Sequence, residues 1–124
     1  MKKILIATAT LLSLAVPAHS QLVLTCPVYA DDTDIPAEEV FSYEEPRPAF
    51  IDGETVGSRV NVRTGPGLDY EVTAYGLVGE DVELIGQAFS RECETWIQVR
   101  FPGSEPVGWV HKDFIGPKRG TSWW

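Results

Sequence analysis

Val60-Asn61-Val62-Arg63-Thr64-Gly65-Pro66-Gly67 reads as a short alternating strand that runs straight into a turn. Side chains alternate along a strand, so Val60 and Val62 take one face while Asn61 and Arg63 take the other. Pro66 fixes its own φ, and Gly65 and Gly67 reach positive φ at little steric cost, so the strand stops here. Three apolar-rich pieces and a closing motif follow, at Glu71 to Val78, Asp81 to Ile85, Thr95 to Arg100, and Val107 to Ile115. Glycines and prolines divide them, and no long run with a helical period occurs between residues 53 and 117. The expected fold is all-β, a small barrel or sandwich of about five short strands. Its expected core is Val60, Val62, Val72, Leu77, Val82, Leu84, Ile97, Val99, Val110 and Ile115.

The flanks read differently. Lys2-Lys3, the apolar run Ile4 to Val16, and small residues at Ala18 and Ser20 form the pattern of a secretory signal peptide. Residues 1–20 are therefore expected to be removed after Ser20, with a retained N-terminal anchor as the alternative. The apolar run is short for a membrane span, and nothing later approaches one. Residues 21–52 are expected to form an acidic arm, with Leu22-Val23-Leu24 as an added edge strand. From residue 30 to 52, eight acids face one base, Arg47, and Pro36, Pro46 and Pro48 interrupt regular structure. One helical turn is expected at Pro36 to Phe41, and the rest as a solvated linker held by Phe41, Tyr43 and Phe50. The folded unit is placed at 53–117, and a C-terminal tail at 118–124 ends in Trp123-Trp124.

Charge and cysteine count narrow the function classes. The chain of 124 residues carries a formal charge of −8. Loss of Lys2 and Lys3 leaves 8 basic residues against 18 acidic ones, a charge of −10. Such a balance opposes binding to nucleic-acid phosphate, and likewise to anionic lipid. Cys26 and Cys93 are the only cysteines, and export makes one disulfide between them the expectation. The alternatives are two unpaired thiols, a pairing between chains, or a lipid anchor on Cys26, the last disfavoured because Thr25 is a poor residue to precede a lipidated cysteine. The location expected is the periplasm or the medium, and the expected state is a monomer.

Taken in order, the pieces resemble the bacterial SH3-like (SH3b) domain. That family typically reads V-N-V-R-[ST]-G-P, G-x-x-V-x-[VL], W-x-x-V and G-W-V-x-x-x-[FYL]-[IL]. The matching pieces here are Val60 to Pro66, Gly79 to Leu84, Trp96 to Val99, and Gly108 to Ile115. The resemblance covers roughly residues 53–117 and implies an SH3-like barrel used for binding. Many members occur in exported bacterial proteins associated with cell-wall peptide or glycan. The chain lacks the paired tyrosines and acidic loop with which eukaryotic relatives grip proline-rich peptides, so that ligand is not implied.

Catalytic and metal chemistry find little support in the residues. After signal removal His111 is the one histidine, and no serine lies in a nucleophile-elbow context. A zinc site needs more nitrogen or sulfur ligands than the chain offers, and Asp31, Asp32 and Asp34 lack the glycine and distant Glu of a calcium loop. Thr64-Gly65-Pro66-Gly67 lacks the Lys of a phosphate loop. No enzyme activity, metal or cofactor is expected.

Binding is the natural use of a small barrel with an aromatic-lined groove. The candidate ligand-binding residues are Asn61, Arg63, Tyr70, Tyr75, Trp96 and Trp109. Trp and Tyr supply contact area with few rotors to freeze, and Arg63 suits a carboxylate. Structural roles stand beside these: Asn61 as a turn cap, Trp96 and Trp109 as core, Arg63 paired with Asp69 or Glu71. The expected ligand is peptidoglycan peptide or another envelope component. The alternative is an adaptor or inhibitor acting on an envelope or secreted protein.

Overall fold

The computed structural model describes residues 24–28, 33–103 and 106–117. It contains β1 (Thr25–Val28), β2 (Thr33–Pro36), β3 (Phe41–Ile51), β4 (Arg59–Arg63), β5 (Val72–Leu77), β6 (Asp81–Phe89), β7 (Thr95–Arg100) and β8 (Val107–His111). A 3-10 turn, Lys112–Phe114, then leads into β9 (Ile115–Pro117). Strands β3 to β9 form one antiparallel sheet in the order β5-β4-β8-β7-β6-β3-β9, and β1 pairs with β2 in a separate hairpin. All five expected strands are present, and the sheet gains β3 and β9. The expected signal peptide, the Leu22-Val23 part of the expected edge strand, and the Trp123-Trp124 tail lie outside the described residues.

The sheet curls until strands far apart in its order touch. A Cβ added at Gly76 of β5 would stand 3.3 Å from Ile51 of β3 and 3.4 Å from the Phe101 ring. Glycine accommodates that approach without displacing either neighbour, and the small SH3-like barrel closes there. Ile51, Val99 and Val110 are fully excluded from solvent at its centre, with Val62, Val82 and Leu84 around them. Inward residues recur at every second position, as the pleat requires.

Eight of the ten expected core residues are buried; Val72 and Leu77 are the corrections. On β5 the inward phase runs Val72, Ala74, Gly76, which leaves Val72 partly covered near the start of an edge strand and points Leu77 outward. Val78, one residue later in the turn, packs in the core instead, as do Ala49, Ile51 and Phe101.

The larger correction concerns residues 30–52. Phe41–Ile51 is not a loosely held arm but a strand, paired with β6 and, over Ala49–Ile51, with β9. Its prolines are tolerated because, before Ala49, β3 has a neighbour on one side only, and an edge strand need not donate on the other. Between Ser42↔Gly86 and Arg47↔Leu84 the register shifts, so Tyr43 to Pro46 bulge out opposite Ile85. Beside the bulge, Gly86 lies so close to β3 that an added Cβ would stand 3.0 Å from the Phe41 carbonyl oxygen. The helical turn expected from Pro36 is also absent. Pro36 ends β2, and Glu38 turns the chain with a left-handed φ of 66°.

The β1–β2 hairpin is fastened to the barrel at several points. Cys26 and Cys93 form a disulfide with a Cα–Cα separation of 5.3 Å, and Cys26 is buried. The Glu38 amide donates to the Phe89 carbonyl of β6 at 2.7 Å, while the Ala37 amide closes the hairpin on itself by donating to the Leu24 carbonyl at 2.8 Å. The crosslink spans 67 residues, so replacing both cysteines by serine is expected to cost about 4 kcal/mol on the chain-entropy account. Urea unfolding of the oxidised protein and the double variant measures this, and equal midpoints would reject it.

Tyr43 packs against the core and donates its hydroxyl to Gln87 Oε1 at 2.8 Å. Burial pushes its phenol above the ordinary 10.0, and the nearby Arg47 charge opposes part of that rise. Above pH 10.0 the unfolded chain releases this proton while the folded chain retains it, so stability falls as pH rises through the folded value. Tyr43→Phe is expected to flatten that alkaline fall, measured by urea unfolding across the range; an unchanged slope would refute the assignment.

Candidate functional site

Arg63 ends β4 and organises the loop that follows it. Its guanidinium donates to the Leu68 carbonyl at 3.2 Å and the Tyr70 carbonyl at 2.9 Å. The Thr64 amide donates to the Glu71 carbonyl at 3.0 Å, closing the base of the loop. Tyr70 lies so close over Gly65 that any Cβ there would enter its ring. The sequence reading gave Gly65 and Gly67 a positive-φ role, but the left-handed glycines are Gly57, Gly79 and Gly103. At Gly65 the absent side chain serves close approach instead. The Tyr70 hydroxyl meets the Glu38 carboxylate, which ties this loop to the turn after the hairpin.

The loop stands beside a cleft of about 390 Å³. Arg59, Asn61 and Arg63 enter it from alternate positions of β4, and Leu68 from the loop. Glu94 and Trp96 enter from the start of β7, His111 from the end of β8, and Asp113 and Phe114 from the 3-10 turn. The His111 ring is fixed from both sides. The Asp113 amide donates to its Nδ1 at 3.0 Å, so the proton sits on Nε2 and is donated to Glu94 Oε1 at 2.5 Å. Trp96 and Phe114 meet the same imidazole edge to face, with centroids 5.3 and 6.5 Å away. The cleft thus has an aromatic wall, two guanidinium groups and two carboxylates.

It continues past Asp113 and Phe114 into a shallower depression lined by Asp52, Glu54, Thr55 and Ser58. Arg59, Val60, Asp113 and Phe114 line both parts, so the two form one elongated groove.

The six sequence-selected residues do not converge. Asn61, Arg63 and Trp96 line the cleft. Trp96 is only 3% exposed, and Trp109, at 5%, packs with it and Ala88 in a second small core outside the barrel. Tyr70 lines a separate small depression with Pro66, Asp69 and Arg91. Tyr75 is exposed on β5, with the Arg59 guanidinium 5.1 Å from its ring centroid. Sequence reasoning missed Arg59, which shares the strand phase of Asn61 and Arg63. It also missed Glu94, His111, Asp113 and Phe114, none of which it selected as a ligand contact.

Residues 58–116 match the family model of the bacterial SH3 domain. This stretch is a bacterial SH3 domain. It is also similar to part of serine/threonine-protein kinase D of Synechocystis sp. (strain ATCC 27184 / PCC 6803 / Kazusa), at 32% identity over 63 residues. That match takes in 51% of this chain and 12% of the kinase, so the chain spans about an eighth of that relative. No solved structure matches significantly. The bacterial SH3 family is one of binding domains. Among the described residues no helix is long and apolar enough to cross a membrane, and no group of three metal-ligating side chains occurs.

Arg63 and Trp109 of this SH3 domain are structural as they stand. Arg63→Ala is expected to lower stability by about 1–2 kcal/mol through two charge-assisted bonds that are partly solvent-screened. Trp109→Ala is expected to cost about 3–5 kcal/mol, as for other buried tryptophans. Urea unfolding tests both, and wild-type midpoints would return these residues to the list of pure ligand contacts.

Proposed function

We propose that the protein is an exported, non-catalytic binding module whose SH3 domain holds a short segment of peptidoglycan peptide in the elongated groove. The observation that carries this is the groove's composition: cations, carboxylates and an aromatic wall along one continuous trough. A peptide that presents free carboxylates and amines needs both signs of charge within one site. Arg59 meets a carboxylate, since the Arg63 hydrogen-bonding capacity is already partly used on its own loop. Asp113, Glu54 and Asp52 meet an amine. His111 and Phe114 supply rigid apolar area, with the buried Trp96 packed behind the imidazole. Export is supported by the leader-like residues 1–20 and by a disulfide, which persists in oxidising compartments. The acidic balance of the chain opposes nucleic acid as a partner.

A protein partner is the second reading, and β5 favours it. Among the described residues that strand is an edge of the sheet, with Tyr75 and Leu77 exposed on it, so an extended segment can add alongside.

Co-sedimentation with purified sacculi separates the two. Wild-type protein is expected to co-sediment, and Arg59→Ala and Phe114→Ala, both at exposed positions, to bind about tenfold more weakly with unchanged unfolding midpoints. Undiminished binding by both variants would remove the groove from the function. No co-sedimentation, with a defined envelope protein recovered by the wild type, would replace the wall ligand with the protein partner.

A further inference from the structure

A second cleft opens where β3 leaves its partner. The four bulged residues Tyr43 to Pro46 face a single residue of β6, so β3 arches away from the sheet and uncovers the edge of the core. The resulting cleft holds about 230 Å³ and is more enclosed than the groove. Its floor is Leu84, Ile97 and Ile115, three residues of the main core. Tyr43 forms one wall, and the Arg47 guanidinium lies 4.1 Å from the centre of the Tyr43 ring. Lys112 stands at the lining as a second cation.

This cleft is distinct from the groove. On β7, Ile97 faces the one and Trp96 the other, and in the turn after β8, Lys112 and Ile115 flank the pair Asp113-Phe114 that lines the groove. The alternation of strand side chains puts the two sites on opposite faces.

Its charge runs against that of the whole chain. The chain carries −8, yet the lining holds two cations and no carboxylate. Among the described residues neither Arg47 nor Lys112 makes an ion pair, while the nearby Glu83 is taken by Arg100 at 3.0 Å. The Tyr43 hydroxyl is spent on Gln87 Oε1, which leaves the Gln87 amide nitrogen as a donor on the same wall. An apolar floor beneath cationic and amide donors suits a ligand with one acidic end and an apolar body. At ~30 Å³ for each water-sized group, the space admits roughly eight such groups, too few for a nucleotide or a diacyl lipid.

We propose that this cleft binds a small amphiphilic monocarboxylate, its carboxylate on Arg47, Lys112 and the Gln87 amide, its apolar body on Leu84, Ile97 and Ile115. Arg47 offers the planar fork that a carboxylate matches, and the Tyr43 ring holds that fork in place.

Titration of the oxidised protein with hexanoate, acetate and 1-hexanol, followed by two-dimensional NMR, tests the assignment at low salt. Hexanoate is expected to saturate, with methyl shifts at Leu84, Ile97 and Ile115, and to bind at least tenfold more tightly than acetate or hexanol. Lys112→Ala, an exposed change that leaves the fold intact, and Arg47→Ala are each expected to weaken hexanoate about tenfold. Equal binding of hexanoate and hexanol would overturn the proposal, because no anion would be recognised. So would equal binding of hexanoate and acetate, shifts centred on Asn61 and His111 instead, or undiminished binding by Lys112→Ala.

Discussion

The barrel depends on one close approach, Gly76 of β5 against Ile51 of β3 and Phe101 after β7. A seven-stranded antiparallel sheet of short strands has two edges and, laid flat, would bury little. Curling it brings β5 across to β3 and removes Ile51, Val99 and Val110 wholly from water. A methyl group at residue 76 would meet Ile51 at 3.3 Å, tighter than side chains ordinarily pack, so the curl is closest where residue 76 has no side chain and any larger residue there would push Ile51 or Phe101 aside by a few tenths of an ångström. The approach also explains why β3 matters: without Ile51 the inner face of β5 would lose the nearest of the two side chains it closes upon, leaving Phe101.

A second layer is built outside that barrel. Trp96, Trp109 and Ala88 are buried on the face of the sheet opposite Ile97 and Val110. Next to them, Arg63 draws the β4–β5 loop back through the Leu68 and Tyr70 carbonyls, and Tyr70 reaches across to Glu38. The cleft is the space left between this anchored loop and the turn after β8. Its walls therefore come from segments fixed by hydrogen bonds and aromatic packing, which lowers the ordering cost of holding a ligand.

The five strands β4 to β8 were legible because each is a short run of β-formers punctuated by Gly or Pro, although the phase of β5 was misread at Leu77, and the disulfide was legible because only two cysteines exist. β3 was not. Its acids and prolines match a solvated linker, and its inward residues are displaced by the bulge, so no period of two runs through Phe41 to Ile51. Whether a proline is tolerated depends on which neighbour a strand lacks, and that is a property of the sheet, not of the segment. The cleft was half legible for a related reason. Strand phase gives Asn61 and Arg63 as a pair and gives Arg59 with them. The meeting of β4 with Glu94, His111 and the 3-10 turn is set by pairing across β7 and β8, on which local sequence is silent. For Trp109 the sequence left ligand contact and core side by side, since an aromatic on the outward phase of a strand is exposed only if nothing is folded over that face, and here it is buried.

The placement of positive charge links these layers. Of the six basic side chains among the described residues, Arg91 and Arg100 have carboxylate partners, Glu38 and Glu83, near the surface. Such pairs add little, because water already solvates both ends. Arg63 is spent on two carbonyls within its own loop. Arg47 and Arg59 instead lie over the rings of Tyr43 and Tyr75, with Lys112 beside the first of these clefts. A guanidinium over a ring keeps its in-plane donors free, whereas one held by a carboxylate does not. In a chain with eight more acids than bases, leaving Arg47, Arg59 and Lys112 without carboxylate partners among the described residues works against the simplest electrostatic solution. Each of the three lines a cleft, and a cation held there without a counter-ion is a cation available to one that arrives.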